Sequence, residues 1–319
     1  MRIEEFFRQF PDEGACRSYV RQIREQEGIV CRRCKGDSHY WKSDKEAWQC
    51  KACGYRTTLR SGTVMEKSKL PVRYWLSAMM FLSSTRKSYS ALEIQRQLNH
   101  PHYAAIWAML HKLRMVMRFR DSRYELTNTI ELDEGFFRHN RNKEDKEDQD
   151  GKGKRGRGSA KSKVLVAVEN VELKAPEKEK KHRGRSSRAG YLKMSVMEDL
   201  QQHTITQQVK KDIAFESRVK TDGYSGYSRL KNVVREHEAI IAQNPTEVSK
   251  LFPWVHTAIS NLRKVLNGIH HSIKEDYLQN YIDEYCYKFN RRYLKEKLFE
   301  RLVIASVSST YYQNGYVFE

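Results

Sequence analysis

The apolar positions of the chain change period several times, and each change marks an element. Over residues 1–28, Phe6, Phe7 and Phe10, then Tyr19, Val20 and Ile23, recur at helical spacing on either side of Pro11. That spacing predicts two short amphipathic helices. The segment CRRCKGDSHYWKSDKEAWQCKACGYRTTLRSGTVM has short aromatic and Thr-rich runs broken by turn residues, the pattern of a small β module. From Pro71 to Arg118 the period becomes helical again, in LPVRYWLSAMMFLSS, SALEIQRQLN and YAAIWAMLHKLRMVMR. A break at His100-Pro101 separates the last two, which fits a helix-turn-helix with the last helix as DNA reader, or an ordinary three-helix packing unit.

TIELDEGFF then reads as a strand, as do KVLVAVENVEL and YLKMSVMEDL with their β-branched enrichment. Two charge-dense segments interrupt them, HNRNKEDKEDQDGKGKRGRGSAKSK and KAPEKEKKHRGRSSRAG, which have too little apolar content to pack and are expected as basic loops over 139–163 and 174–190. Next come a helical MEDLQQHTITQQVKK, a strand in SRVKTD, a turn in GYSGY, a strand in HEAIIAQ, and closing helices around 255–267 and 274–291. The tail from Arg291 reads as helical and then irregular. Alternating strands and helices of this kind define an α/β core.

Charge adds a partner class to this outline. Lys and Arg number 59 against 40 Asp and Glu among 319 residues, a formal net charge of +19. Such a field attracts polyanions, with nucleic acid foremost. No apolar run approaches the roughly 18 to 20 residues of a membrane span, and MRIEEFFRQFPDEG lacks the blocks of a signal peptide. The expected compartment is cytoplasmic, where cysteines stay reduced unless a metal holds them.

Cys31-x2-Cys34 and Cys50-x2-Cys53 have the spacing of a four-thiolate zinc ribbon, two knuckles each presenting a thiolate pair to a tetrahedral ion. Zinc would supply much of the folding free energy of so small a module. Cys16 and Cys286 fall outside the pattern and read as buried thiols; His39 is a conceivable substitute ligand. Arg32, Arg33, Lys35, Lys51 and Arg56 are candidate DNA contacts of the ribbon.

Two aspartates stand where strands would hold them: Asp133 inside TIELDEGFF, and Asp222 at the end of SRVKTD before Gly223. An isolated aspartate in such a place more often caps a turn. Paired across a sheet, the two suit Mg²⁺ or Mn²⁺ and phosphodiester chemistry. Tyr224, Tyr227 and Trp254, set among basic residues, are candidates for stacking on an unpaired base, with core packing the commoner fate for Trp254 beside Phe252 and Val255.

Taken in order, CxxC…CxxC, ELDEGFF, GKGKRGRG, KVLVAVE, KTDGYSGY, WVHTAISNLRKVLNGIHH and YLQNYIDEYCYKFNRR resemble the ISXO-type insertion-sequence transposases, from the ribbon to Arg292. The resemblance implies a ribonuclease-H-like mixed sheet core in which Asp133 and Asp222 match the first two acids of the DDE set. It also implies cutting at terminal inverted repeats and strand transfer into target DNA, by a homodimer or higher oligomer associated with the nucleoid. In related transposases the third residue is Glu with Lys or Arg seven positions later; in this branch the acid is often replaced, commonly by Asn.

Here that register gives His256 and Arg263, which share a helix face because seven residues at 3.6 per turn differ by only about 20°. Asn261, with Lys264 near it, fits the family's amide instead. Both remain candidates at this stage. Neutral imidazole is a poor Mg²⁺ ligand but a reasonable Mn²⁺ ligand or general base. Arg263 and Lys264 are candidate phosphate contacts. His270-His271 and Asn290-Arg291-Arg292 repeat family phrases without a chemical role beyond DNA contact or helix packing.

The expected organisation is an N-terminal helical segment over 1–28, a zinc ribbon over 29–66, a helical DNA-binding region over 67–124, a catalytic domain over 125–295 and a tail over 296–319. An enzyme of this kind needs structural Zn²⁺, catalytic Mg²⁺ or Mn²⁺, and double-stranded DNA as both transposon end and target. A catalytically silent, transposase-derived DNA-binding protein is the alternative that the missing third acid keeps open.

Overall fold

The computed structural model describes residues 1–138, 161–173, 186–241, 251–270 and 273–308. It divides into two compact units, residues 1–120 with the described residues from 291 onward, and residues 121–290. Most of both basic segments, His271, and the last eleven residues of the tail lie outside the described residues.

The first unit opens with α1 (Ile3–Gln9) and α2 (Glu13–Glu27), split at Pro11 as the spacing predicts. Asp12 caps α2 by accepting from the Ala15 amide at 2.7 Å. The antiparallel sheet β1 (His39–Lys42), β2 (Ala47–Cys50) and β3 (Arg56–Thr58) sets Trp41 opposite Trp48. α2 packs on this sheet through Arg21 over Trp41 at 4.4 Å and Arg24 over Trp48 at 4.9 Å. Helices α3 (Val72–Ser84), α4 (Ala91–Gln97) and α5 (Tyr103–Asp121) follow. Ser90 caps α4, and Asn99 ends it in the left-handed region at φ +48°, so the turn before α5 is tight. The helical part of the tail packs against α2 and α3 of this unit, with Phe299 meeting Phe6 and Phe10 ring to ring.

The second unit is built on five strands: β4 (Thr129–Phe137), β5 (Ser162–Glu172), β6 (Ser187–Met197), β7 (Arg218–Thr221) and β8 (Glu236–Ala239). Their order is β6-β5-β4-β7-β8; the β4/β5 and β5/β6 pairs are antiparallel, the β4/β7 and β7/β8 pairs parallel. This is the mixed sheet expected of a ribonuclease-H-like core. The strands reach further than the composition suggests, since β5 begins at Ser162 and β6 at Ser187, inside the segments expected as loops. Ladder pairs Phe137↔Ser162 and Glu172↔Ser187 extend them, a long-range pairing that polar composition does not reveal.

Between β6 and β7 lies α6 (Gln202–Asp212), and after β8 come α7 (Pro253–Ile269) and α8 (Glu275–Asn290). One sheet face packs against α7 and α8 through Phe137, Val164 and Val166; the other packs against α6 through Ile130, Leu132 and Ile205. Side chains alternate along β4. Glu131, Asp133, Gly135 and Phe137 therefore point toward α7, while Glu134 points to the α6 side.

Candidate active site and metal module

The four ribbon cysteines converge as their spacing predicts. Their Sγ atoms all lie within 4.8 Å of one another, with Cys31–Cys53 and Cys34–Cys50 each at 3.5 Å. A tetrahedral ion with Zn–S bonds of about 2.3 Å needs sulfurs about 3.8 Å apart, so the cradle fits zinc. The two knuckles repeat one turn: Lys35 N donates to Cys31 O at 2.9 Å and Gly54 N to Cys50 O at 3.0 Å, with positive φ at both Lys35 and Gly54. Backbone N–H groups, that of Cys34 foremost, hold the Cys31 thiol down to about 6; the N–H of Cys53 and then that of Ala52 act the same way on Cys50. Both thiols are thereby biased toward the thiolate that binds metal. His39 lies outside this cluster, with its Nδ1 3.0 Å from Asp37 O. Cys16 and Cys286 are buried outside the cluster, with thiols pushed up by burial.

The ribbon cations Arg32, Arg33, Lys35, Lys51 and Arg56 are all exposed. Arg32 is engaged within the chain, its guanidinium donating to both Glu66 carboxylate oxygens at 2.8 and 2.9 Å.

The second constellation forms on the α7 side of the five-stranded sheet. β4 and β7 run parallel, with Glu131 opposite Lys220. Asp133 and Asp222 stand two residues beyond that pair on their own segments, Asp133 within β4 and Asp222 one residue past the end of β7. Asp133 Oδ2 stands 3.6 Å from His256 Nδ1 on α7, both side chains partly exposed. Asp133 Oδ1 accepts from the Glu134 amide at 2.8 Å, and Asp222 Oδ1 from the Tyr224 amide at 3.0 Å.

The His256 Nε2 atom is buried without a hydrogen-bond partner among the described residues. Burial, and then the Arg263 charge, hold this imidazole below its usual pKa of 6.5. Arg263 thus shares the His256 side of α7, with its guanidinium 5.7 Å from the Phe137 ring centre. Asn261 and Lys264 are exposed, so of the two candidates His256 is the one that meets Asp133. The ligand atoms of Asp133, Asp222 and His256 do not all fall within 4.8 Å of one another; among the described residues only the cysteines do so.

Two acids that the spacing did not single out, Glu131 and Glu134, complete the surroundings. Glu131 is fully buried and accepts from Trp254 N at 2.8 Å, Val255 N at 3.0 Å and Asn170 Nδ2 at 2.8 Å. Burial pushes its carboxyl up, and these hydrogen bonds, Val255's first, oppose that shift. An acid at an inward position of a strand was the available signal. Glu134 is buried on the opposite face, beside the Tyr227 hydroxyl. Burial raises the Tyr227 phenol well above its usual value, helped by the charges of Glu134, Asp133 and Asp222.

Tyr227 is only 1% exposed, which removes it from base stacking: packing of its ring with Leu230 and Ile205 consumes the face a base would need. Tyr224 donates its hydroxyl to Leu200 O at 3.1 Å, and Trp254 packs on the core with its indole N–H on Ser187 Oγ at 3.0 Å. Asn290 is likewise structural in placement, bonding both the amide and the carbonyl of Leu192. No described helix is long and apolar enough to cross a membrane.

A mixed five-stranded sheet with one acid on its central strand and another just past the end of the neighbouring parallel strand, in a chain that also carries a four-cysteine ribbon, fits a transposase. Two family models match: a transposase zinc-ribbon domain over residues 11–56 and an ISXO2-like transposase domain over residues 125–290. The chain belongs to the ISXO2-like transposase family. A search of curated proteins finds no match. The ribbon match begins before the cysteines and takes in α2, the helix whose arginines cover Trp41 and Trp48.

Proposed function

We propose that this transposase is a metal-dependent enzyme that binds the terminal inverted repeats of an insertion sequence, hydrolyses a phosphodiester there and transfers the freed strand into target DNA. The observation that carries the proposal is the Asp133–His256 approach of 3.6 Å in the domain that matches the family.

Two carboxylates and a neutral imidazole whose Nδ1 faces Asp133 form a donor set suited to Mn²⁺, or to Mg²⁺ held through the carboxylates and water. A divalent cation bound by Asp133 and Asp222 supplies Lewis acidity that lowers the pKa of water and stabilises a leaving oxygen. The residues do the rest. Water's oxygen bonds to phosphorus as the P–O3′ bond breaks, leaving a 3′-hydroxyl and a 5′-phosphate. His256, neutral at pH 7, is placed to accept the water proton or to serve as third ligand. In the second step the 3′-hydroxyl attacks a target phosphodiester and displaces the target's own 3′-oxygen.

Arg263 and Lys264 on α7, and Arg33, Lys51 and Arg56 on the ribbon, supply phosphate contacts that position DNA without reading it. The exposed start of α5, at His102, Tyr103 and Ala104, is the reading surface. Holding two ends together requires at least a homodimer.

Purified protein incubated with labelled element ends and Mg²⁺ or Mn²⁺ tests this directly. Metal-dependent nicks at the repeat boundary support the proposal. One observation favours a second reading, since position 256 holds no carboxylate; binding without nicks in either metal would establish a silent DNA-binding protein.

A further inference from the structure

We infer that Glu131 is a positioning residue that sets the distance between the two halves of the active site by anchoring the N-terminus of α7. The inference rests on reading Asp133 and His256 as one site.

The first turn of α7 cannot cap itself. Its N-cap is Phe252, with no side-chain oxygen to offer, and Pro253 follows at the first helical position with no N–H. The next two amides, of Trp254 and Val255, both donate to Glu131 Oε2, at 2.8 and 3.0 Å. Glu131 is thus a cap supplied from another element, a charge on the positive end of the helix dipole. Asn170 fixes the carboxylate by donating to Oε1 at 2.8 Å from the neighbouring strand. A second helix of the chain uses a similar device: the N-cap of α3 is Pro71, and the Val72 and Arg73 amides donate to Glu13 Oε1 and Oε2 at 2.8 Å each.

The register turns an anchor into a ruler. Glu131 and Asp133 are two apart on one strand and point to the same face. Val255 and His256 are adjacent on the helix. Clamping Val255 to residue 131 therefore leaves His256 little choice but to face residue 133, and the 3.6 Å approach follows. Without the anchor, the α7 start keeps the Trp254 indole bond to Ser187, which lies on β6 rather than on β4, and apolar contacts that do not fix height along the strand.

The test uses the full zinc-loaded chain and three variants, Glu131→Gln, Asn170→Ala and His256→Ala. Glu131→Gln keeps volume but removes the charge, so fewer protons of the clamp are accepted. Amide hydrogen exchange at Trp254 and Val255 should quicken about tenfold or more, while Val164 and Val166 keep their protection. Mn²⁺ alone should broaden the His256 ring resonances, assigned by their loss in His256→Ala. That broadening should need about 10 to 100 times more Mn²⁺ in Glu131→Gln, the range typical when a ligand's supporting partner is removed. Asn170→Ala should move both readouts in the same direction by less.

Where end nicking is measurable, Glu131→Gln should slow it in the native background and add little in a His256→Ala background, because both changes disable one interaction. Unchanged exchange at Trp254 and Val255, unchanged Mn²⁺ broadening, or additive losses would each overturn the inference. Exchange and Mn²⁺ broadening require no turnover. An absence of nicking by the native chain would therefore count against the proposed function while leaving this inference open to its own test.

Discussion

His256 Nδ1 and Asp133 Oδ2 lie 3.6 Å apart, one on a helix and the other on the central strand of the sheet. No carboxylate occupies the helix position, so an imidazole meets the first acid. In the proposed mechanism the two groups act on one cation or water, and substituting each in turn tests that reading.

Asp133→Asn and Asp222→Asn should each lower metal-dependent nicking of element ends by about 10³-fold or more, since charge stabilisation by a bound cation is worth several kcal/mol. Binding of the same DNA should persist in a gel-shift assay at matched salt. Nicking that survives either change would remove these acids from the mechanism.

His256→Ala should reduce nicking by about 10² to 10³-fold, whereas Asn261→Ala, altering an exposed side chain, should stay within about twofold of the native rate. The opposite ranking would assign the third position to the amide. His256→Glu should restore Mg²⁺ use in preference to Mn²⁺, because carboxylate oxygen suits the harder ion.

The His256 pKa is held below 6.5 first by burial and then by Arg263. A depressed folded value means that the stability linked to the neutral ring is present above the unfolded pKa of about 6.5 and is lost as pH falls through the folded value. Nicking should therefore hold at pH 6.5 and decline only at lower pH. Arg263→Ala should move that acid limb upward, as a pH–rate series would show; an unmoved limb would mean that His256 does not set it.

Chelation should unfold the ribbon, as should Cys31→Ser or Cys50→Ser, because zinc binding contributes on the order of 10 kcal/mol to modules of this size. The near-ultraviolet signal of the Trp41–Trp48 pair, whose ring centres lie 4.8 Å apart, should collapse on chelation and return with Zn²⁺. A signal indifferent to chelator would show that the sheet folds without the ion.

Gly190→Ala should destabilise the second unit by about 1 to 3 kcal/mol, because overpacking forces its surroundings to shift. A Cβ there would stand 2.5 Å from Glu169 Oε2 and 2.7 Å from Glu169 Cβ. Glu169 cannot swing aside without releasing the Thr127 and Tyr191 amides, each held at 2.9 or 2.8 Å. Urea unfolding midpoints of the two proteins would measure the loss.

Short-range chemistry was legible in the chain itself. Paired cysteines could hardly mean anything but a metal knuckle, Pro11 and His100-Pro101 mark helix boundaries, and the seven-residue interval put His256 and Arg263 on one helix face before any coordinates. Alternation in TIELDEGFF likewise set Asp133 on a strand. Family phrases supplied the rest of the domain assignment, which residue patterns alone left undecided between a turn-capping aspartate and a catalytic one.

Tertiary structure decided whatever depended on elements distant in sequence. It set His256, and not the exposed Asn261, against Asp133, because only the docking of α7 on β4 says which helix face meets the sheet. It buried Tyr227 and paired the exposed Arg32 with Glu66, since burial and an ion-pair partner are properties of the packed chain. It also found Glu131, whose role exists only where a strand and a helix start come together. The sequence by itself determined the local elements and the metal-binding spacing, because helix periods and knuckle turns are set by neighbouring residues. Only the fold decided the site's geometry, because that geometry is a relation between strands and a helix that no local pattern encodes.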